Sequence, residues 1–360
     1  MIHRKYQNDT LPALTAQELA HFIAFGPVVF QVARIMLKEG IFEYLRDMPQ
    51  GATVGDIVRK SGLSEYAVKV LMESSLTSGT VLYRDSRYFL SKTGWFILTD
   101  PMVKVNMDFN HDINYKGMFH LDEALKEGYP AGLAELGQWN TIYEGLSQLA
   151  AGQKSSWFGF DHFYSDSAFD QALPEVFASR PSRLMDIGGN TGKWAFKCVG
   201  YDPDVRVTVV DLPGQIGMLV SQSEGRPGFD RIDTFCTDIL DQSAESLPSG
   251  YDVVWMSQFL DCFSEDQVVS ILSRAVKALN PDGRIYIMET VWDRQKYAAA
   301  SFDLAQTSVY FTAMANGNSK MFNSEDLCRL IGAGGLEVER IVDGLGYAHS
   351  LFCCKAIKTE

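Results

Sequence analysis

Residues 183 to 194 read RLMDIGGNTGKW, an apolar run that ends on an acid, enters a glycine turn and continues into helix-compatible sequence. That order marks the first strand-to-helix turn of a nucleotide-type α/β domain, and the rest of the chain must be arranged around it. A dinucleotide fingerprint starting at Gly188 also needs glycine at 190 and 193, where this chain has Asn190 and Lys193, so NAD is disfavoured. No Gly-Lys-Ser/Thr closes the turn, which excludes a P-loop. What remains is a glycine backbone (Gly188, Gly189, Gly192) that a ligand can approach closely. Asp186 at the strand end can accept hydrogen bonds from a cationic group.

The next two strands supply two more acids. RVTVVDLP ends a β-branched run on Asp211, followed by Leu212, where a carboxylate can accept both hydroxyls of a ribose; IDTFCTDIL brings Asp238 and Ile239 to the place of an adenine amino group. An ammonium, a ribose diol and an adenine together describe S-adenosylmethionine. LMDIGGNTG, VVDLP and CTDIL resemble the successive cofactor motifs of class I methyltransferases, most closely the plant and bacterial small-molecule O-methyltransferases related to the caffeate and acetylserotonin enzymes. The resemblance implies that Asp186, Gly188, Gly189, Gly192, Asp211, Leu212, Asp238 and Ile239 frame S-adenosylmethionine, with Ser257 and Gln258 beside it and no metal. The product form of the cofactor is S-adenosylhomocysteine.

A chain of 360 residues with 46% hydrophobic residues predicts two domains and a substantial core. Its net charge of −13 opposes nucleic-acid or anionic-membrane binding, which needs clustered Lys and Arg. The six cysteines lack paired CxxC spacing and read as reduced, mostly buried thiols. The N-terminus has no apolar signal core, and its most apolar stretch is interrupted by Gly26-Pro27, Gln31 and Arg34, so the expected location is cytoplasmic.

Residues 15 to 48 have helical periodicity. Two short helices then meet at Ser61-Gly62-Leu63 and two strands flank Asp85-Ser86, a winged-helix pattern that raises transcriptional regulation as a rival function. The would-be recognition helix SEYAVKVLMESS has one Lys against two Glu and cannot neutralise several phosphates. In the resembling enzymes such a domain serves dimerisation and roofs the substrate pocket. Residues 104 to 150 read as helical and resemble that family's connecting helices. Met118, Phe119, His120 and Trp139 are pocket candidates there, as are His162 and Tyr164 in the aromatic run WFGFDHFYSD. The expected domains are 1–102 (winged-helix-like dimerisation), 103–180 (helical connector) and 181–360, a Rossmann-like, doubly wound, mostly parallel seven-stranded sheet.

A sulfonium methyl donor is already activated, so the protein must align the acceptor and take its proton. In the resembling family the base is a His in a Leu-His-Asp-Trp stretch; here those positions are Leu260, Asp261, Cys262 and Phe263. An ordinary Asp lies about 6 pKa units below a phenol, making proton transfer uphill by roughly 8 kcal/mol, about twice what His faces. Three readings are open: burial raises Asp261, the acceptor is more acidic than a phenol, or another group such as His120 or His162 is the base. A purely structural Asp capping the following helix is the alternative to all three. Glu289 matches the family glutamate that orients the base, and its partnership with Asp261 would raise the pKa of one of the two. The family's second glutamate is not reproduced, and Ser319 and Lys320 lie near its place.

The reading is an S-adenosylmethionine-dependent methyltransferase acting on a hydroxyl or carboxyl oxygen of an aromatic or polyketide-like metabolite, as a homodimer. The altered catalytic positions leave C-methylation, or non-methylating decarboxylation or rearrangement on the same fold, as alternatives.

Overall fold

Capping residues write the helix starts of the N-terminal half. α1 (Ala13–Ala24) and α2 (Gly26–Lys38) meet at Gly26-Pro27, where proline in the first turn forfeits no hydrogen bond. After α3 (Ile41–Arg46), Thr53 caps α4 (Val54–Ser61) in a reciprocal box with Asp56, and Ser64 caps α5 (Glu65–Thr77). Strands β1 (Val81–Arg84) and β2 (Arg87–Leu90) pair antiparallel through Asp85-Ser86, both at positive φ, as a two-residue hairpin turn requires. α6 (Lys92–Thr99) and α7 (Pro101–Phe109) follow. Met36, Ile41, Phe42, Ile57, Val68, Met72 and Val81 form the core of this winged-helix-like unit, to which α1 adds no buried side chain.

This computed structural model describes residues 6–241, 243 and 246–358, which form two units dividing between His111 and Asp112. The stretch 104 to 150 is less helical than its periodicity predicts. After α7 it breaks into a π turn, short 3-10 turns, α8 (Leu121–Glu127) and the single turn α9 (Ile142–Gly145). Gly128, Pro130, Gly132 and Gly137 interrupt any continuous helix there. α10 (Ala151–Ser165) and α11 (Phe169–Val176) lead to the sheet.

The sheet strands are β3 (Arg183–Ile187), β4 (Arg206–Asp211), β5 (Ile232–Cys236), β6 (Tyr251–Ser257), β7 (Leu279–Glu289), β8 (Leu336–Leu345) and β9 (His349–Ala356). Between them run α12 (Lys193–Tyr201), α13 (Pro213–Ser223), α14 (Glu265–Val276), α15 (Ala298–Tyr310) and α16 (Ser324–Ala333). Central strands are apolar on both faces because helices cover both. Leu184, Val253 and Trp255 point into one core, and Met185, Val254 and Met256 into the other. The spatial order is β5-β4-β3-β6-β7-β9-β8, parallel up to β7 and antiparallel at β9 and β8. This is the doubly wound, mostly parallel seven-stranded sheet read from the sequence. Strand order reverses between β3 and β6, so a crevice opens beyond their carboxyl ends, where such folds bind ligands.

Three of the six cysteines are buried; Cys236, at the end of β5, is exposed, and all are free thiols. No single helix among the described residues is long and apolar enough to cross a membrane. The α1–α2 pair reaches that length only across a 71° bend.

Candidate active site

The crevice is floored by the β3 turn. Gly188 has φ +74°, and a Cβ there would run into the Phe259 ring; a Cβ on Gly189 would sit 2.6 Å from an Asp186 carboxyl oxygen. Only glycine gives this bare backbone surface. An open cleft lies over it, bordered by Asp186, Gly188, Gly189, Asn190, Trp194, Trp255, Ser257 and Gln258, and by Asp161, His162 and Asp166 from the approach to the sheet. Trp194 and Trp255 stack at 3.9 Å and 13°.

Hydrogen-bonding capacity in this cleft is unspent. Asp186 Oδ2, Asn190 Oδ1, Ser257 Oγ and Gln258 Oε1 are buried with no partner in the chain. Burial, with the Asp211 carboxyl adding to it, pushes Asp186 up to about 8. A carboxyl so placed calls for a cation. Asp211 at the end of β4 accepts from the backbone N–H of Asn190 (2.8 Å) and of Leu212 (2.7 Å), tying the β3 turn to β4. Gly192 packs on Leu219. Asp238 lies two residues beyond β5, exposed, accepting from the Leu240 N–H, with Ile239 buried beside it. Asp186, Gly188, Gly189, Ser257 and Gln258 therefore border the cleft itself, while Gly192, Asp211, Leu212, Asp238 and Ile239 lie along the strand ends flanking it.

Gln258 leaves β6 at φ +45°, and the chain turns at once into a single 3-10 turn, Leu260–Cys262. Glu289, fully buried at the end of β7, holds that turn: Oε1 accepts from the N–H groups of Phe259 (3.1 Å) and Leu260 (2.9 Å), and Oε2 has no partner. Asp261 is 3% exposed. Its carboxyl is pushed up to about 7 by burial, with the Asp161 charge adding and the Cys262 thiol at 3.5 Å opposing. Glu289 is likewise held well above the ordinary carboxyl range by burial and by Asp261. Asp261 does not cap the following helix, because Ser264 does so in a reciprocal box with Gln267.

The far side of the turn is anchored by Asn316, which sequence spacing did not single out. Asn316 Nδ2 donates to the Cys262 carbonyl at 2.6 Å, and Asn316 Oδ1 accepts from the Ser319 N–H and hydroxyl at 3.2 and 3.0 Å. Buried Ser319 thus acts on the turn through Asn316, while Lys320 pairs with Asp326 at 2.9 Å and is half exposed.

The histidines separate. His162 borders the cleft with Nδ1 3.6 Å from Asp161, whereas His120 faces Glu135 (3.4 Å) and Glu123 (3.8 Å). Phe119 is 84% exposed and Met118 is half-buried in the same 3-10 turn, and neither borders the cleft. Trp139 packs over Gly137 and Gly145, and Tyr164 is buried against Phe160 and Phe163.

Residues 165–336 match the model of the O-methyltransferase domain, and residues 17–88 that of the Dimerisation2-like domain. The chain is an S-adenosylmethionine-dependent methyltransferase that carries an O-methyltransferase domain and a Dimerisation2-like domain. This methyltransferase is 25% identical over 292 residues to 3-hydroxy-5-methyl-1-naphthoate 3-O-methyltransferase of Streptomyces sahachiroi, covering 80% of this chain and 81% of that one. It is 23% identical over 297 residues to the L-tyrosine C(3)-methyltransferase of Streptomyces lavendulae, covering 81% and 79%. In fold it is similar to the methyltransferase SibL (TM-score 0.71, 22% identity, covering 94% and 98%) and to human N-acetylserotonin methyltransferase solved with S-adenosylmethionine (0.66, 17%, covering 98% and 100%).

Proposed function

We propose that this methyltransferase methylates a hydroxyl or carboxyl oxygen of an aromatic or polyketide-like small molecule, with Asp261 taking the acceptor's proton. The observation that carries this reading is a buried carboxyl, raised to about 7, on the turn that follows Gln258 of the cleft lining. At that value the gap to a phenol is about 4 kcal/mol, close to what an imidazole would face. Bound in the cleft, S-adenosylmethionine supplies an activated methyl group on a sulfonium.

In this reading Asp186 receives the cofactor's ammonium, Asp211 and Leu212 its ribose, and Asp238 and Ile239 its adenine. Gly188, Gly189 and Gly192 give the backbone surface, and Ser257 and Gln258 face its remaining polar groups. The unpartnered oxygens of Asp186, Ser257 and Gln258 support this fit, since buried acceptors left unsatisfied are costly. Glu289 holds the Asp261 turn through two backbone N–H groups, acting on the base's position. Among the described histidines, His162 alone borders the cleft and can assist.

Similarity to a tyrosine C-methyltransferase gives C-methylation of a phenol as the second reading. The same base serves both, because removing the phenol proton activates oxygen and ortho carbon alike. We further propose a cytoplasmic homodimer joined through the N-terminal unit, where α1 exposes Leu14, Leu19, Phe22 and Ile23.

The test is a screen of phenolic, enolic and carboxylic aromatics with quantitation of S-adenosylhomocysteine and mass analysis of the product. One methylated product per S-adenosylhomocysteine, with its position fixed by NMR, is expected. Acceptor turnover without S-adenosylhomocysteine release would overturn the proposal in favour of non-methylating chemistry.

A further inference from the structure

The cleft lining holds unspent hydrogen-bonding groups of both kinds. On the acceptor side are Asp186 Oδ2, Ser257 Oγ and Gln258 Oε1. On the donor side are the indole N–H groups of Trp194 and Trp255, two buried rings that border the cleft and whose Nε1 atoms find no partner in the chain. Unspent acceptors beside unspent donors suit a ligand end that brings a cation and an anion together. The carboxyls bordering the cleft, Asp161, Asp166 and Asp186, answer only the cation.

Lys193 is the one lysine or arginine among the residues that border the cleft. It opens α12 directly after Gly192, whose φ of +76° turns the chain into the helix and which has no side chain to cap it. A helix start without a side-chain cap presents backbone N–H groups and the positive end of the helix dipole. A dinucleotide fingerprint has glycine at this position, so the lysine is a cation added where that motif has none. Lys193 Nζ lies 2.5 Å from Asp166 Oδ2, on the turn after α10, and both residues border the cleft. With 40% and 42% of the two side chains exposed, this pair is weak by itself and open to a second anion. An ammonium has three donors, and Asp166 takes one of them.

We infer that Lys193 is the counter-ion of the carboxylate at the methionine end of the cofactor, and so the residue that makes this cleft prefer an intact amino-acid group. This rests on the cofactor reading above. Asp186, before the glycine turn, takes the ammonium, and Lys193, after it, takes the carboxylate with the α12 N-terminus behind it. Asp166 keeps the lysine at the cleft while the cofactor is away.

The test is calorimetric titration of the full chain with S-adenosylmethionine and with its decarboxylated analogue, which keeps the nucleoside, the sulfonium and the amine. Wild type, Lys193→Met and Lys193→Arg are compared. Wild type should prefer the intact cofactor by about tenfold or more, the worth of a hydrogen bond between charged groups. In Lys193→Met the preference should shrink to about twofold or less, because only the intact cofactor loses a partner. Lys193→Arg should retain it. If Lys193→Met weakens both ligands by the same factor, Lys193 merely ties α12 to the turn after α10, and the inference is overturned. A full preference surviving in Lys193→Met overturns it too, placing the carboxylate elsewhere. A wild type that binds neither ligand removes the cofactor reading itself, and this inference with it.

Discussion

Asp261 carries the chemistry that most distinguishes this chain at the level of single residues. Asp261→Asn keeps its size and removes its proton affinity; methyl transfer should fall about 10²- to 10⁴-fold while S-adenosylmethionine affinity stays within twofold, and an undiminished rate would reassign the base. Asp186, at about 8 in the cofactor-free chain, is mostly protonated at pH 7, so an arriving ammonium should expel about one proton. Calorimetry in buffers of different ionisation enthalpy reads that number directly, and a binding enthalpy independent of buffer would contradict it. His349 lies outside the cleft, fully buried with both ring nitrogens unpartnered, and burial lowers its pKa to about 4. Because the unfolded chain takes up this proton near pH 6.5 and the folded chain only near 4, stability should fall as pH drops through that window, by up to about 3 kcal/mol. Urea titrations at pH 7 and pH 4 would measure it, and His349→Leu should remove that part of the slope.

The strand ends were legible element by element because an acid after an apolar run is a local signal. LMDIGG, VVDLP and CTDIL name their own positions, and β6 starts and stops where YDVVWMS predicts. The Asn316 anchor of the Asp261 turn was not. Asn316 reaches Cys262 across 54 positions, and that contact leaves no periodicity to find. Between α7 and α10 the apolar spacing suggested helix, and glycine and proline cut it into single turns. The glycine turn after β3 can be tested as an element. In Gly188→Ala the positive φ costs about 1–2 kcal/mol and the new methyl strikes Phe259, moving the Asp261 turn. Both thermal stability and S-adenosylmethionine affinity should drop, and unchanged affinity would place the cofactor elsewhere.

Two units with their own cores make up the molecule, and each carries one half of the proposal: association through the N-terminal unit and chemistry on the sheet. Sedimentation should give twice the chain mass, and Ile23→Asp, which sets a charge into the exposed face of α1, should halve it without unfolding the chain. The central claim concerns the cleft at the β3–β6 switch point, and calorimetric titration of the purified chain with S-adenosylmethionine and S-adenosylhomocysteine, beside Asp211→Ala checked for folding by circular dichroism, tests it most directly. Micromolar binding of both ligands to wild type and its loss in a folded Asp211→Ala are the predicted result. A wild type that binds neither ligand, or an Asp211→Ala that binds as tightly as wild type, would contradict the account.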